Sequence, residues 1–326
     1  MKFIIFDGRT RSKNQDLSPL YEFNGKVFSV AEPWFIIKNK IIRLICHAHL
    51  SSNINSKFAL PFRSIWNKLL FKNIKDDDVC IIWNSHFYQL DNAGCIKYLR
   101  KRYKNCKIVF QFSDKYDFFR ENYRNFPEPD ELKEKYDLVI TYNINDVLKY
   151  GFVWQRPCIG DYSNIENDET IPQSDLFFVG KNKGRLSKIL YIYEFCRSNG
   201  LKCDFHVTDV AENEQKYKDN IKYNKPISYD EVLKRVKRTK CILNLVQDGG
   251  EGITMRDYEA LGNNKYLLTD NKFITEVDFY DANQIILLEE FEKRIFEIKN
   301  NFLKENNFSN KYNRENYFQW LENLLK

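Results

Sequence analysis

Short apolar runs alternate with longer amphipathic stretches along this chain of 326 residues, and that alternation limits the possible folds more than any other feature. A parallel sheet covered by helices produces such a pattern, because its strands are buried on both faces. The predicted strands are 2–6, 41–46, 79–83, 107–112 and 137–141 in the first half, and 175–179, 202–207, 241–246 and 265–269 in the second. The predicted helices are 93–103, 127–136, 145–150, 185–198, 229–238 and 254–261. The pattern predicts an α/β fold.

The alternation stops at residues 151–174, where glycines and prolines cluster around a polar run. Such a segment is typical of an interdomain linker. We therefore predict a Rossmann-like domain at 1–160, a second one at 161–290, and C-terminal helices at 291–326 that pack back on the domains. Two Rossmann-like domains facing a cleft bind ligands beyond the carboxyl ends of their strands.

Composition excludes several classes of protein. With 43% hydrophobic and 29% charged residues the chain is globular, and no apolar run approaches the roughly 18 residues that span a bilayer. An acid, Asp7, follows only four apolar residues near the start, so we expect a soluble cytoplasmic protein. The net charge of +6 is far below the clustered excess of a dedicated nucleic-acid binder. The eight cysteines form no C-x-x-C pair, so we expect buried reduced thiols.

The most informative segment is a glycine-rich loop, 247–252, that follows a predicted strand and opens a predicted helix. Its glycines let the backbone approach a ligand where side chains would collide. The free amides of Ile253, Thr254 and Met255 are expected to form a helix N-terminus, which binds anions. Glu259 lies about one and a half turns into the helix, where a carboxylate can accept hydrogen bonds from a ribose diol. This arrangement fits a nucleoside diphosphate.

Glu251 and Glu259 are separated by seven residues, and the segment around them resembles the E-x7-E segment of retaining glycosyltransferases of the GT-B fold. Residues 227–233 resemble the part of that family that precedes this segment, and 177–181 resemble its domain-opening strand and basic loop. The resemblance covers roughly 175–271. The first half is matched only in architecture.

The resemblance implies a nucleotide-sugar donor bound by the second domain. Glu259 would hold the ribose, Glu251 would face the hydroxyl groups of the donor sugar, and the amides after Gly252 would take the diphosphate. Lys183 or Arg185 would neutralise the departing diphosphate. Such folds use cations and a helix dipole for that purpose, so the resemblance implies no metal ion and no cofactor.

The chain departs from the family pattern at two positions. Thr254 replaces the second glycine, and Arg256 stands in place of an apolar residue. Arg256 either reaches a phosphate or pairs with Glu259 at the i,i+3 spacing. Gly180 precedes a basic loop, 181–185, that is shorter than the usual one.

Candidate residues of the first domain lie just after its predicted strands. Asp7, Gly8 and Arg9 follow the first strand and either contact the acceptor or diphosphate or form a plain polar turn. His86 and Asp114 follow later strands and are candidates for the general base that inverting transfer needs. The alternative for both is a loop residue with local hydrogen bonds.

Two further clusters have ordinary interpretations. His47 and His49 would point to one face of the predicted strand, and a partly buried polar pair is preferred to a metal site because no third ligand is evident. The basic run 100–104 lies at the C-terminal end of a predicted helix, where the negative end of the helix dipole favours cations. It is either a solvated helix end or a contact with anionic lipid.

These observations favour a glycosyltransferase that moves a sugar from a nucleoside-diphosphate sugar to a saccharide acceptor, lipid-linked or not. The form of residues 252–262 resembles transferases of bacterial surface-polysaccharide synthesis, such as lipopolysaccharide or capsule, which implies peripheral contact with the inner face of the membrane. The alternative is a non-catalytic subunit that binds a nucleotide sugar or saccharide. A binder of single-stranded nucleic acid is a third hypothesis, and no nucleic-acid partner is expected. The sugar, the base and the stereochemistry stay open.

Overall fold

The computed structural model of the chain describes residues 1–6, 27–29, 37–51, 54, 60–72, 74, 79–85, 94–123, 125–159, 165–247, 252–304, 306 and 308–326. The chain divides into two compact units. The first unit comprises Met1–Cys158 and Arg314–Lys326, and the second comprises Ile159–Asn313. The last helix of the chain therefore belongs to the first unit.

The first unit is built on a six-stranded sheet in which every pairing of the described strands is parallel. Its strands are β1 (Lys2–Phe6), β2 (Val27–Ser29), β3 (Val79–Asn84), β4 (Lys107–Gln111), β5 (Leu138–Thr141) and β6 (Val153–Trp154), in the order β2-β1-β3-β4-β5-β6. Its helices are α1 (Lys40–Leu50), a 3-10 helix (Arg63–Trp66), α2 (Asn67–Leu70), α3 (Cys95–Arg102), α4 (Tyr116–Asn122), α5 (Pro129–Lys135) and α6 (Ile144–Tyr150). This confirms the α/β prediction for the first half.

Alternate residues of each strand build the two faces of this sheet. On one face Ile4, Ile81 and Phe110 pack with the helices α1 to α5. On the other face Phe3 and Ile5 pack, with other strand residues, against the terminal helix α12 (Arg314–Leu324). The sheet is thus buried on both faces, as the continuous apolar runs predict.

The predicted strand at 41–46 is wrong, because these residues lie in helix α1. The Oδ1 atom of Asn39 accepts hydrogen bonds from the amides of Ile41 (3.0 Å) and Ile42 (3.1 Å) and so caps the start of the helix. His47 and His49 therefore lie about 200° apart around a helix rather than on one face of a strand. The His49 Nδ1 atom accepts a hydrogen bond from Trp66 Nε1 at 3.0 Å.

The second unit is a second six-stranded parallel sheet, in the order β12-β11-β10-β7-β8-β9. Its strands are β7 (Ser174–Lys181), β8 (Cys203–Thr208), β9 (Lys222–Tyr223), β10 (Thr239–Asn244), β11 (Tyr266–Thr269) and β12 (Ile285–Leu287). Its α-helices are α7 (Leu186–Ser198), α8 (Tyr229–Lys237), α9 (Met255–Gly262), α10 (Phe291–Asn300) and α11 (Phe308–Lys311). The helices α7 and α10 cover one face through a shared core, and α8 and α9 contact β10.

The direction of the chain across the second sheet reverses between β7 and β10. From β7 the chain proceeds to β8 and β9 on one side, and then returns to β10, β11 and β12 on the other. Because β7 and β10 are parallel neighbours, the loops after them lie side by side at the carboxyl edge of the sheet, which is where open α/β sheets bind ligands. In the part of the chain that the structure describes, no helix is long and apolar enough to cross a bilayer.

Candidate functional site

Two loops meet at the reversal point of the second sheet. Lys183, in the loop after β7, donates a hydrogen bond from Nζ to Oε1 of Gln247, which follows β10. The guanidinium of Arg185 donates from Nη1 to the carbonyl oxygen of Leu245 in the same second loop. The structure thus brings the predicted basic loop against the start of the glycine-rich loop.

Arg185 holds the two loops of this site together through hydrogen bonds to backbone carbonyl oxygens. Besides Leu245 it donates to the carbonyl oxygens of Lys181 (2.6 Å) and Asn182 (3.3 Å), and its guanidinium carbon lies 5.6 Å from the centre of the Phe178 ring. Desolvation by burial lowers the pKa of Arg185 from its usual value, although the nearby Asp270 carboxylate opposes this. Its donors are largely used within the protein, whereas the side chain of Lys183 is exposed.

At the start of α9, one of the three backbone amides that were predicted to be free is already hydrogen-bonded. The Thr254 amide donates to Asp257 Oδ2 at 2.7 Å, and the Thr254 hydroxyl donates to the same oxygen at 3.0 Å. The amide of Thr254 is therefore not free for an anion, because the side chain of Asp257 already occupies it. The amides of Ile253 and Met255 donate to no atom among the described residues.

Asp257 and Asn244 are site residues that the sequence reasoning missed. Both are buried, and Asn244 donates from Nδ2 to Asp257 Oδ1 at 2.8 Å and to Thr254 Oγ1 at 3.0 Å. Desolvation raises the pKa of Asp257 to about 6, although the hydrogen bonds that it accepts act in the opposite direction. The pair links the end of β10 to the start of α9. The Thr-x-x-Asp spacing of a capping box was the signal that could have found it.

A second pair, Asp270 and Asn271, to which the sequence analysis assigned no role, fixes the end of the glycine-rich loop. Asn271, buried after β11, donates from Nδ2 to the carbonyl oxygen of Gly252 at 2.9 Å. Asp270 accepts from the Val246 amide at 2.8 Å and pairs with Lys188 at 2.7 Å. Gly252 has a φ of 138°, a conformation that side chains rarely adopt. Predicted residue Glu251 lies outside the described residues.

Glu259 lies in the middle of α9 with its side chain fully enclosed. Its Oε2 atom pairs with Nη1 of Arg256, which is partly exposed. Of the two partners predicted for Arg256, the structure contains the i,i+3 ion pair. Glu259 is therefore a buried anion whose charge is compensated by a cation that reaches the surface.

In the first unit the structure describes one of the five candidate residues. The half-buried Asp114 accepts a hydrogen bond from the Lys115 amide at 2.8 Å. Next to it the Ser113 amide donates to Ser85 Oγ at 3.0 Å, so the carboxyl ends of β3 and β4 are joined. The other candidates lie outside the described residues: Asp7, Gly8, Arg9 and His86.

Comparisons with known proteins agree with this arrangement. Residues 192–314, which include β10, α9 and β11, match a family model described as glycosyl transferase-like. A solved alpha-glucosyltransferase in complex with UDP-glucose and DNA containing an abasic site is similar over 100% of this chain and 99% of that chain, with 14% identity and a TM-score of 0.55. The two sheets and this similarity show the predicted GT-B fold. A search of curated proteins gave no match.

Two further solved structures are similar at lower scores. UDP-GlcNAc 2-epimerase from Neisseria meningitidis bound to UDP-GlcNAc has 13% identity and a TM-score of 0.49, over 100% of this chain and 99% of that chain. An alpha,alpha-trehalose-phosphate synthase (UDP-forming) from Burkholderia vietnamiensis has 9% identity and a TM-score of 0.49, over 99% of this chain and 93% of that chain.

Proposed function

We propose that this chain, which has a GT-B fold and whose residues 192–314 match a glycosyl transferase-like family model, transfers a sugar from a nucleoside-diphosphate sugar to a saccharide acceptor. The acceptor is lipid-linked and serves bacterial cell-surface polysaccharide synthesis. One observation carries the proposal. At the reversal point of the second sheet, the basic loop after β7 is joined by the Lys183–Gln247 hydrogen bond to the residues that follow β10, the strand that precedes the eight-residue helix α9.

The site supplies positive potential for a leaving diphosphate. The amides of Ile253 and Met255, the N-terminal dipole of α9 and the ammonium of Lys183 would stabilise the negative charge that develops as the glycosidic bond breaks. Arg185 would position the two loops rather than touch the phosphates, because its donors are held by carbonyl oxygens. These groups perform the task without a metal ion, so we propose metal-independent transfer.

Glu259 would bind the ribose of the donor. In the structure its Oε2 atom is engaged by Arg256, so ribose binding requires that guanidinium to turn toward the diphosphate. The negative diphosphate would attract it, and the ribose hydroxyl groups would then donate to the carboxylate. Glu251 would face the sugar hydroxyls, and His86 or Asp114 would serve as general base if transfer inverts the anomeric centre.

Calorimetric titration with UDP, GDP, CDP, ADP and dTDP, with and without magnesium, tests the donor site. We expect one nucleotide to bind with micromolar affinity independently of magnesium. Glu259→Ala should lose this binding, and Glu169→Ala, an exposed glutamate before β7, should retain it. Equal binding by Glu259→Ala and wild type would contradict the role of Glu259, and no binding of any nucleotide would overturn the donor site.

A non-catalytic subunit that binds a nucleotide sugar is the alternative function. Measuring the release of the nucleoside diphosphate from the matching sugar nucleotide distinguishes a transferase from a binding subunit. An enzyme should release it faster when a lipid-linked saccharide is added. Tight donor binding with no release on any acceptor would favour the binding subunit.

A further inference from the structure

Helix α1 of the first unit exposes an apolar face. Ile41, Leu44 and Ile45 are 71%, 68% and 45% exposed, and their i, i+3, i+4 spacing places them on one side of the helix. The core of the unit is on the other side, where Cys46 and Leu50 are buried. A helix of a globular protein usually buries such a stripe, so its exposure needs an explanation.

The neighbouring 3-10 helix extends this surface. Phe62, which precedes it, is 78% exposed and Ile65 is 58% exposed. The hydrogen bond from Trp66 to His49 and the edge-on contact of their rings, 6.1 Å between centres, hold the 3-10 helix against α1. We name five of the exposed residues the apolar face: Ile41, Leu44, Ile45, Phe62 and Ile65. Ile42, which is 46% exposed, lies beside them on α1.

The segment that carries the apolar face is basic. Residues 33–75 contain eight lysines and arginines and no aspartate or glutamate, between Glu32 on one side and Asp76, Asp77 and Asp78 on the other, although the whole chain is nearly balanced at 51 basic against 45 acidic residues. The exposed cations of this segment that the structure describes are Lys38, Lys40, Arg43, Lys68 and Lys72. Apolar side chains bordered by Lys and Arg are typical of helices that lie in the interface of an anionic membrane.

We propose that the apolar face docks on a bilayer surface that carries anionic headgroups. Its apolar side chains would enter the boundary of headgroups and acyl chains, and its cations would bind the phosphates. A symmetric contact with a second copy is disfavoured because it would bring the same cations together. The proposal rests on the proposed function, since a lipid-linked acceptor presents its saccharide at such a surface.

The basic run 100–104 is the weaker membrane surface. Arg100 pairs with Asp137 at 2.6 Å and also donates to the Cys106 carbonyl oxygen at 3.1 Å, so its charge is compensated. The helix that carries it buries its apolar residues Ile96 and Leu99. Nothing apolar from that helix face would therefore accompany the cations into the interface.

Vesicle flotation of the full chain tests the docking surface, using phosphatidylcholine vesicles with and without 30% phosphatidylglycerol. We expect binding only to the anionic vesicles. The double variant Ile41→Glu/Leu44→Glu should lower the partition coefficient by roughly tenfold or more. The control Leu148→Glu, on a residue of the same unit that is 77% exposed, should leave it unchanged.

A second pair of variants tests the charge. Lys40→Glu/Arg43→Glu should lower the partition coefficient by roughly tenfold or more and flatten its dependence on salt. Lys101→Glu/Arg102→Glu makes the same change in net charge on the basic run and should have little effect. Equal loss in both variants would show attraction by net charge alone and would overturn the assigned surface.

The remaining outcomes separate this proposal from the donor site. Nucleotide titration of each variant should match wild type, and circular dichroism with urea unfolding should show that its first unit is folded. Vesicle binding without nucleotide binding would overturn the proposed function and leave the docking surface standing, and the reverse result would overturn the docking surface. A dimer in light scattering that Ile41→Glu/Leu44→Glu dissociates, without vesicle binding by wild type, would show that a second copy covers the face.

Discussion

Asp146 and Asp257 are buried carboxyl groups, one in each unit, that hold neighbouring segments together. Asp146 accepts hydrogen bonds from the Tyr116 amide at 2.9 Å and from Thr141 Oγ1 at 3.2 Å. Desolvation raises the pKa of both carboxyl groups from 3.8 to about 6, against the effect of these hydrogen bonds. Each group therefore keeps its proton in the folded chain at a pH where the unfolded chain has lost it.

This difference predicts a dependence of stability on pH. Because the folded pKa values are raised, the contribution of the two groups to the free energy of unfolding is complete below about pH 4 and falls as the pH rises to about 6. The loss is at most about 3 kcal/mol for each group. In urea unfolding at pH 4 to 7, the free energy of unfolding of Asp146→Asn and of Asp257→Asn should each depend less on pH than that of wild type. Parallel curves for the variants and wild type would contradict the assignment.

Strand β7 packs closely against the loop that follows it, because Gly180 near the end of the strand lies next to the side chain of Arg185. A Cβ atom at Gly180 would lie 3.3 Å from Arg185 Nη2 and 3.4 Å from Phe178 Cζ. Gly180→Ala should therefore shift the guanidinium by a few tenths of an ångström, destabilise the second unit by about 1 kcal/mol and weaken nucleotide binding. Calorimetry and urea unfolding measure the two effects.

A double-mutant cycle with Arg185→Lys shows whether the effect passes through Arg185. The lysine ammonium is smaller than the planar guanidinium, so the alanine should cost less in the Arg185→Lys background. Additive effects of the two substitutions would mean that Gly180 is needed for another reason.

Most elements could be predicted from the sequence because apolar periodicity reports burial directly. The strand at 2–6 agrees with the structure, and helix 185–198 and helix 229–238 agree within one residue. The error at 41–46 arose because a run of six residues with one Arg fits a strand or a helix equally well. The cap residue Asn39 was the available signal, and the exposed apolar face made the helix look like a buried strand.

The loops of the candidate site and Glu259 could be predicted from the sequence, but the buried asparagines that hold the loops in place could not. The glycines, the basic loop and Glu259 follow strands and have recognisable local patterns. Asn244 and Asn271 gain their roles from hydrogen bonds to Asp257 and Gly252, 13 and 19 residues away along the chain. A sequence does not state which distant groups a buried amide meets, so these residues became visible only in the fold.

For the whole molecule, the terminal helix α12 completes the core of the first unit. Tyr317, Phe318 and Leu321 are buried on the sheet, and the Phe318 ring lies 4.4 Å from that of Phe3 between centres. Leu321→Ala should lower the free energy of unfolding of the first unit by about 2–5 kcal/mol.

The exposed Leu324 on the same helix supplies the control for this prediction. Leu324→Ala should change the free energy of unfolding by no more than about 0.5 kcal/mol, measured by urea titration. Nucleotide binding, which uses the second unit, should be retained by both variants below the unfolding transition. Equal destabilisation by both substitutions would contradict the packing of α12.

The position of α12 in the chain also determines which of the two units can complete its folding first during translation. A ribosome completes β6 and then makes all of 159–313 before it makes the helix that covers Phe3 and Ile5. During that interval the nascent first unit presents a sheet face whose described cover does not yet exist, and at its end the second unit has its whole chain. Domains generally fold in the order of synthesis, but here the domain made first should mature last. We expect the bare sheet face to bind chaperones that hold apolar surfaces until α12 has been made.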